Sequence, residues 1–562
     1  MDNQRLILLL VFSFSLIMLW DAWLKHGQPK PQAAQIAAAG APVQGPGTAP
    51  VPSPTSSPGT VAAVVPGAAS VAVPTVASLT AKTDLYQAEI SALGGDIVRL
   101  ELLRHRVTAD EKRNFELFEI KHAYVAQSGL TGDKLPNHRS LWTLPADGIE
   151  LKTGQDELRV RLEAESGDGI KVAKTYVFRR GSYLIGVEHE IHNGSAAALT
   201  SHAYFQLSRN GQSVEGGSQA MGVSTFTGPA FYTEAGKFHK IDFADIAKDK
   251  AKAPGKADNG WVAMVQHYFV SAWLPGEKVE REFFTRKLGE DLFAAGVIVP
   301  VAAIAPGASG MIAASLYAGP QEQDKLAKIA PGLDLVVDYG WLTVIAAPLF
   351  WVLQAIHGFV GNWGWAIIGL TVMLKLIFFP LSAASYKSMA KMRVLTPKLM
   401  KLKETYADDR QRMNQEMMEL YKREKVNPLG GCLPVLVQIP VFIALYWVLL
   451  ATVEMRGAPW ILWITDLSVA DTLFGTLPFI NLPVGPLPLL MGATMFIQTK
   501  LNPTPPDPMQ AKIMLWMPII FTFMFLAFPA GLVLYWTVNN LLSIAQQWQV
   551  NRMIEGAGLK AH

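Results

Sequence analysis

A single charged residue stands inside a long apolar stretch of this chain: Lys375, in the run IIGLTVMLKLIFFPL. A charge at the middle of a bilayer costs about 2.5–3.5 kcal/mol, so such a residue usually faces water or an opposite charge. The five long apolar stretches of the C-terminal part contain no Asp or Glu. Lys375 therefore predicts a membrane protein with a water-filled cavity among its helices. The alternative is that the flexible lysine stem carries its ammonium group to the membrane surface.

Other polar residues have the spacing to line the same cavity. Thr371 lies one helical turn before Lys375 and shares its face of the helix. Gln438 falls between two prolines in the second stretch, and polar residues recur at intervals of three and four in the last one. We therefore predict a polar groove lined by Lys375, Thr371, Gln438, Trp536, Asn540 and Ser543. For each residue alone, a hydrogen bond between two helices, worth under about 1 kcal/mol, is an equal alternative.

The segment 383–425 predicts a hairpin of two helices. Apolar residues recur at helical spacing in both halves, and Asp408 and Asp409 mark a turn and a helix N-cap between them. One interpretation is a seam between the two helices with a solvated basic face. The other is a contact surface for varied apolar partners, to which methionine side chains adapt. The candidate contact residues are Met389, Met392, Met413 and Met417.

The remaining residues that could do chemistry form no recognisable site. Eight of the eleven His lie between His105 and His267 without metal-ligand spacing, and no catalytic triad or phosphate-binding loop occurs. The run 188–192 alternates the two faces of a strand and is more typical of surface than of a site. Cys432 is the single cysteine, which excludes an internal disulfide framework. The net charge of +3 is too small to indicate nucleic acid as a partner. The sequence thus predicts no enzyme, cofactor or metal site.

The elements that must position Lys375 are the five apolar stretches, which we expect to be membrane-spanning helices: 363–382, 428–450, 487–500, 513–528 and 532–549. The third and fourth are short for a span and are expected to extend into their flanks. Together with the hairpin they form a core, residues 363–552, followed by a short tail, residues 553–562. Before the core, the region 327–362 contains an aromatic-rich stretch, 341–360. It favours an amphipathic helix at the membrane interface, with a further span as the close alternative.

The N-terminal half has a different character. Residues 1–28 carry an apolar run flanked by Trp, which favours an uncleaved signal anchor over a cleaved signal peptide. Residues 29–78, rich in Ala, Pro and Gly, predict a flexible linker. Residues 79–326 predict a β-sandwich domain, because 157–165 alternates apolar and charged residues while 171–178 and 183–191 flank a turn as in a hairpin.

The distribution of positive charge predicts the orientation. Residues 387–425 hold eleven Lys or Arg against six acids, whereas 454–486 hold only Arg456. Cytoplasmic loops carry the excess of Lys and Arg, so the first segment is expected inside and the second outside. This places the β domain outside and both termini in the cytoplasm.

Four colinear runs resemble the YidC family of bacterial membrane protein insertases: SMAKMRVLTPKL, KVNPLGGCLPVLVQIPVFIALYWVL, DPMQAKIMLWMPIIFTFMF and FPAGLVLYWTVNNLLSIAQQ. The likeness covers the whole architecture and implies an inner-membrane protein of a Gram-negative-type bacterium. It also implies a periplasmic β-supersandwich similar to sugar mutarotases but without known catalysis. The family's core is a hydrophilic groove, open to cytoplasm and lipid and closed outside, with a basic residue that is usually arginine.

Two departures from the family pattern bear on mechanism. Lys375 takes the place of that arginine, which keeps the positive charge but loses the two-pronged hydrogen bonding. Tyr535 and Trp536 stand where the family often has two tyrosines. The tail after Arg552 is short and barely basic, which argues against binding a ribosome through it.

We therefore expect an insertase and chaperone that moves the polar ends of clients through the groove and releases their hydrophobic segments into the inner membrane. The expected partners are nascent membrane proteins, membrane lipids and a Sec-type translocon, with the ribosome left open. One rival is a transporter or channel that uses Lys375 as an anion or substrate site, which inverted repeats would favour. Another is a membrane-anchored carbohydrate-active enzyme, which leaves the core unexplained.

Overall fold

The computed structural model describes residues 76–107, 110–132, 134–146, 148–212, 225–276, 278–406, 409–424, 433–477, 482–502 and 508–556. The predicted signal anchor, the linker up to residue 75, Cys432 and the last six residues of the tail lie outside this part of the chain. Within it, a β-rich domain is followed by a helical region, as expected.

The β-rich domain is built from strands that pair into two large sheets. Their bounds are β1 Ser78–Lys82, β2 Tyr86–Ser91, β3 Ile97–Val107, β4 Asp110–Phe118, β5 Val125–Leu130, β6 Ile149–Glu150, β7 Glu157–Glu165, β8 Ile170–Arg179, β9 Leu184–Asn193, β10 His202–Asn210, β11 Gly228–Thr233, β12 Lys237–Lys240, β13 Lys256–Ala257, β14 Trp261–Gln266, β15 Phe269–Pro275, β16 Arg281–Gly289, β17 Leu292–Pro300 and β18 Ser309–Pro320. Two short helices accompany them, α1 Phe243–Ala247 and α2 Gln323–Ile329.

The two sheets enclose one apolar core, which makes the domain a sandwich. The ten-stranded sheet has the order β13-β16-β17-β10-β5-β3-β2-β1-β6, with β4 paired to β3. The eight-stranded sheet has the order β12-β11-β14-β15-β18-β9-β8-β7. Side chains cross between them: Trp273 Nε1 of β15 donates to the Gln206 carbonyl of β10 at 3.0 Å.

The two sequence patterns that predicted strands are both confirmed. Strand β7 alternates exposed and buried residues along its whole length, as its period of two requires. Strands β8 and β9 pair antiparallel, with Phe178 opposite Ile185, so the predicted hairpin is present.

The helical region begins with the single turns Leu333–Val336 and Gly340–Leu342 and continues as eight longer helices in the described residues. Their bounds are α3 Thr343–Val360, α4 Trp363–Ile377, α5 Phe379–Thr405, α6 Arg410–Arg423, α7 Leu433–Ala451, α8 Pro486–Leu501, α9 Pro508–Phe525 and α10 Ala530–Gly556, where α6 is the shortest. A further turn, Val453–Met455, and a small hairpin, β19 Thr476–Leu477 with β20 Leu482–Pro483, lie between α7 and α8.

The first predicted span, 363–382, is divided between two helices in the structure. Helix α4 ends at Ile377, α5 begins at Phe379, and the two are bent by 64° at the break. Pro380 in the first turn of α5 explains the break, because a proline has no N–H for the carbonyl of Leu376 and its ring clashes with that carbonyl. The predicted hairpin therefore has no boundary at Ala383, since α5 runs without interruption from the bend into the hairpin.

Helix α10 lies at the centre of the helical region. It contacts α4, α5, α7 and α8, whereas α9 packs mainly on α8. Helix α3 packs on α4 and α7 through a buried stripe, Ala346, Leu349, Phe350 and Leu353. Helix α10 also continues to Gly556, seven residues past the end of the predicted span.

By length and composition alone, few of these helices qualify as membrane spans. Among the described residues, Gly340–Val360 is long and apolar enough to cross a membrane, and α4 with the first half of α5 qualifies as a bent pair. The apolar parts of α7 and α9, Leu436–Ala451 and Ala511–Phe525, are shorter. The interfacial position expected for α3 stays a prediction.

The β domain contacts one end of the helical region through polar and aromatic side chains. His267 Nε2 lies 2.9 Å from the Leu450 carbonyl at the end of α7. Arg456, just after α7, stacks its guanidinium over the rings of Phe115, Tyr268 and Phe269. The two halves of the protein therefore share an interface as well as a covalent link.

Candidate functional site

Lys375 points into the helical bundle. Its side chain is only 6% exposed, and its Nζ donates to Ser543 Oγ of α10 at 2.7 Å. The Ser543 hydroxyl in turn donates to the Asn539 carbonyl at 2.8 Å. The alternative in which the lysine stem reaches out to the membrane surface is therefore not the conformation in this structure. Among the residues that the structure describes, Lys375 forms no ion pair, in line with the lack of acids in the predicted spans.

Two further groups close around Lys375 and Ser543. Gln546 Nε2 donates to the Lys375 carbonyl at 3.4 Å, and Tyr386 Oη of α5 donates to the Ser543 carbonyl at 3.4 Å. Neither residue was predicted from the sequence. Gln546 was missed although it follows Ser543 by three positions, because the polar stripe was read through Gln547 instead.

Thr371 lies on the same buried face of α4 as Lys375, as its spacing predicted. It is buried, and its hydroxyl donates to the Ile367 carbonyl of its own helix at 2.7 Å. The hydroxyl hydrogen is therefore used within α4, and only the oxygen lone pairs of Thr371 remain to accept from another group.

The polar stripe of α10 divides between two neighbours. Ser543 and Gln546 contact α4, whereas Asn540 Nδ2 donates to Thr494 Oγ1 of α8 at 3.3 Å. Gln547 Nε2 likewise donates to the Leu501 carbonyl at the end of α8, at 3.1 Å. The structure thus places Asn540 in a helix–helix seam, the alternative that its spacing left open.

Helix α7 presents one face to Trp536 of α10. Gln438, Phe442 and Tyr446 recur every four residues and so share that face. Phe442 packs edge-on against Trp536 with ring centroids 4.8 Å apart, while Gln438 is half-buried. Tyr446 was not predicted, although its spacing from Gln438 could have indicated it.

Several buried polar atoms around α7 and α10 have no hydrogen-bond partner within the described chain: Trp536 Nε1, Tyr446 Oη, Gln546 Oε1 and Gln547 Oε1. A buried polar atom left unpaired costs about 1–3 kcal/mol. Such atoms, distributed along α7 and α10, indicate places where water or another molecule supplies the missing bonds. They lie around the same helix, α10, that holds Lys375 through Ser543.

The predicted hairpin is present as α5 and α6, with Asp409 as N-cap accepting from the Arg412 N–H at 3.0 Å. Its small core consists of Leu395, Leu399, Leu420 and Tyr421. Met392 and Met417 pack against this core, so both belong to the seam, while Met389 and Met413 are half-buried outside it. The apolar side chains most exposed on the hairpin are Val394, Met400 and Met418, none of which the sequence analysis selected.

The polar groups buried in the β domain serve its own structure. Lys174 is fully buried and donates to the carbonyls of Gly94 and Ser128 at 2.8 and 2.9 Å, and to Asp96 at 3.2 Å. Burial raises the pKa of the Asp96 carboxyl to about 6, against the opposing effect of Lys174. His189, expected within a surface run, is wrong as a surface residue: it is buried beside Ser128, and burial holds its pKa well below its ordinary value.

Sequence comparison gives a consistent result over the whole chain. Residues 78–352 match the family described as YidC periplasmic domain, and residues 355–557 match the 60Kd inner membrane protein family. The chain is 62% identical over 561 residues to the membrane protein insertase YidC of Aromatoleum aromaticum, covering 99% of this chain and 98% of that protein. It is 58% identical to the insertase YidC of Dechloromonas aromatica, over 100% of this chain and 99% of that one.

A solved structure of an active YidC insertase, with its first transmembrane domain resolved, also resembles this chain. It covers 82% of this chain and 90% of its own, with 19% identity and a TM-score of 0.39.

Proposed function

The chain belongs to the YidC family of membrane protein insertases, and from that premise we propose where and how it handles its clients. The polar region formed by α4, α7 and α10 receives the polar end of an incoming protein. The observation that carries this proposal is Lys375: a buried cation with one hydroxyl partner and no carboxylate beside it in the described chain.

The proposed orientation has the β domain in the periplasm and the hairpin α5–α6 in the cytoplasm. Both termini are cytoplasmic, with the N-terminal anchor crossing the membrane before the β domain and the five spans of the core crossing it after that domain. This orientation is supported by the eleven Lys and Arg of residues 387–425 against the single Arg456 of the loop after α7. Helix α3 then lies at the periplasmic interface, where its exposed Trp351 and Phe359 suit the membrane boundary.

Lys375 attracts acidic client ends by charge. Its ammonium group is a compact point charge with rotatable donors, unlike the planar fork of arginine. Because Ser543 is a neutral partner, a client carboxylate can replace it at Nζ without breaking an ion pair. A charge-based role does not require one fixed carboxylate geometry, so clients with different acidic ends are accommodated.

The buried polar atoms of Trp536 and Tyr446 give the rest of the client's polar segment partners or bound water. The client's hydrophobic segment then leaves along α7 and α9, whose outer faces expose Leu436, Ile439, Trp516, Ile520 and Phe523. Burying apolar surface in lipid supplies the driving force. The transporter alternative gains no support from the relatives.

The hairpin α5–α6 makes the first contact with clients on the cytoplasmic side. Met389 and Met413 remain candidates because they are half-buried outside the hairpin core, whereas Met392 and Met417 hold that core together. Exposed Met400 and Met418 extend the proposed contact surface. A Sec-type translocon and the ribosome are proposed partners of the same cytoplasmic and membrane faces.

Site-specific photocrosslinking tests the proposed client path. A photoreactive residue at Gln438 or Trp536 should crosslink to a ribosome-bound nascent membrane protein. Leu541 is the matched control, because it lies on the exposed apolar side of α10, one residue from Asn540. Crosslinks at Leu541 but not at Gln438 and Trp536 would place the client on the lipid side alone and contradict the proposal.

A further inference from the structure

The loop between α7 and α8 is apolar and yet exposed. From Gly457 to Gly485 it contains only two charged residues, Asp466 and Asp471. Five of its large apolar side chains nevertheless protrude from the protein: Ile461, Leu462, Leu473, Phe474 and Leu477. Loops that face water are normally rich in polar and charged residues, so this exposed composition calls for a different surrounding.

The two acids of the loop are engaged within the protein. Asp471 is buried and accepts from Trp463 Nε1 at 3.1 Å and from the Leu487 N–H in the first turn of α8 at 2.9 Å. Asp466 accepts from the N–H and the hydroxyl of Ser468 at 2.8 and 2.7 Å. Both carboxylates therefore fix the loop's own shape, and they leave its protruding face without charge.

Leu462 is the most informative residue of this face. Its side chain is 81% exposed, and its backbone has φ of +56°, in the left-handed region that bulky residues rarely adopt. Glycine or asparagine would take this conformation at lower cost. Since the leucine side chain has little contact with the protein, its apolar character is of use only to something outside the protein.

The loop lies level with the ends of the helices that the proposed orientation places at the periplasmic surface. Asn362, the N-cap of α4, donates through Nδ2 to the Pro459 carbonyl at 3.0 Å. Trp460 packs so closely on α4 that a Cβ at Gly364 would lie 2.1 Å from its Cδ1. At the start of α10, the Gly531 N–H donates to the Leu467 carbonyl at 2.9 Å.

These attachments fix the depth of the loop. It is bound to the first turns of α4, α8 and α10, so it cannot rise far above the membrane surface. Trp460 and Trp365, with ring centroids 5.8 Å apart, stand at the same level. Tryptophans of membrane proteins concentrate at this boundary between headgroups and acyl chains.

We propose that residues 461–477 form a lipid anchor that inserts Leu462 and Phe474, with their apolar neighbours, into the outer leaflet of the membrane. The occupant of this surface is the boundary between lipid headgroups and acyl chains. Apolar side chains on a surface attached to spanning helices are stabilised there by burial in the acyl region. The anchor holds the outer ends of α4, α8 and α10 at a fixed depth. It rests on membership of a membrane protein family and on the proposed orientation, but not on the client path.

Spin labelling of the full-length protein tests the anchor. With Cys432→Ser as background, a single cysteine is introduced as Leu462→Cys or Phe474→Cys, labelled with a nitroxide, and reconstituted into vesicles of phosphatidylethanolamine and phosphatidylglycerol. Collision with oxygen reports lipid, and collision with a water-soluble nickel chelate reports water. Ala196→Cys, on an exposed turn of the β domain, is the control for water.

The proposal predicts an oxygen-to-nickel collision ratio several-fold higher at positions 462 and 474 than at 196. A ratio equal to that of the control would show that the loop faces water and would overturn the proposal. Slow collision with both reagents would show that another protein, or a second copy, covers the loop, and would overturn it as well. Position 474 keeps the test decisive if the unusual backbone at 462 does not tolerate cysteine. Insertion activity plays no part in this readout, so failure of the client path would leave it unchanged.

Discussion

Two lysines are buried in the described part of this chain, one in each half, and their surroundings are opposite. Lys174 in the β domain is surrounded by acceptors, with the carbonyls of Gly94 and Ser128 and the carboxylate of Asp96 all within 3.2 Å, and Trp142 stacked over it. Lys375 in the helical core has the Ser543 hydroxyl at 2.7 Å and no ion pair among the described residues.

This difference in surroundings indicates that the charge of Lys174 is structural, whereas the charge of Lys375 is available to bind a ligand. A buried cation whose donors are all matched by fixed acceptors is stable but has nothing left to offer a ligand. A cation with a single neutral partner keeps donors and charge for a molecule that enters later. We therefore propose that Lys174 serves folding of the β domain and that Lys375 serves the handling of clients.

The largest loss of stability is expected when the charge of Lys174 is removed. Lys174→Met leaves Asp96 and the surrounding carbonyls without their donor, and breaking one side of a buried pair costs about 3–5 kcal/mol. Denaturation of the purified protein, followed by tryptophan fluorescence, should show this loss in the unfolding of the β domain. Lys171→Met on the exposed face of the same strand is the control, with little loss expected. An equal loss of unfolding free energy in Lys375→Met would contradict the proposed difference between the two lysines.

Much of this contrast could not be read from the sequence. Lys375 could be predicted because an apolar run isolates it and because the predicted spans hold no acids. Lys174 could not, because its acceptors come from Gly94, Asp96 and Ser128, far away along the chain, and the pairing of distant strands sets those contacts.

The contacts of the helical core could likewise be predicted only in part from the sequence. The spacing of polar residues predicted one polar stripe on α10, and Ser543 of that stripe accepts a hydrogen bond from Lys375. Spacing does not give the rotation of a helix against its neighbours, so Asn540 was expected in the groove and is found against Thr494. Pro380 was visible in the sequence, but the 64° bend it marks was not predicted.

A smaller effect is expected at the interface between the two regions. Burial and nearby Arg456 lower the pKa of His267 from 6.5 to about 4, although its bond to the Leu450 carbonyl opposes this. The depressed pKa contributes stability that is present above pH 6.5 and is lost as the pH falls towards 4. A shift of this size corresponds to at most about 3 kcal/mol.

The variant His267→Gln isolates this contribution, because Arg456, the charged group that acts on His267, remains in both proteins. The difference in unfolding free energy between wild type and variant should shrink as the pH falls from 7 to 4. A constant difference over that range would show that His267 does not titrate with a depressed pKa.

The smallest effect is expected at Asn540. Its bond to Thr494 joins two helices, and such bonds in membrane proteins are worth on average about 0.6 kcal/mol. Asn540→Ala should therefore lower stability by under about 1 kcal/mol and leave insertion of acidic clients near the wild-type level. Insertion by Asn540→Ala is measured beside insertion by Ser543→Ala. A strong insertion defect in a stably folded Asn540→Ala protein would indicate that Asn540 contacts the client.

The most direct measurement compares Lys375→Met with Lys375→Arg in an insertion assay. Proteoliposomes receive two versions of one client that differ only in an acidic or a neutral translocated tail. We predict that Lys375→Met reduces insertion of the acidic version several-fold, spares the neutral version, and that Lys375→Arg restores the acidic one because charge is what matters. Equal insertion of both versions by the folded Lys375→Met protein would contradict the assignment of Lys375 to clients.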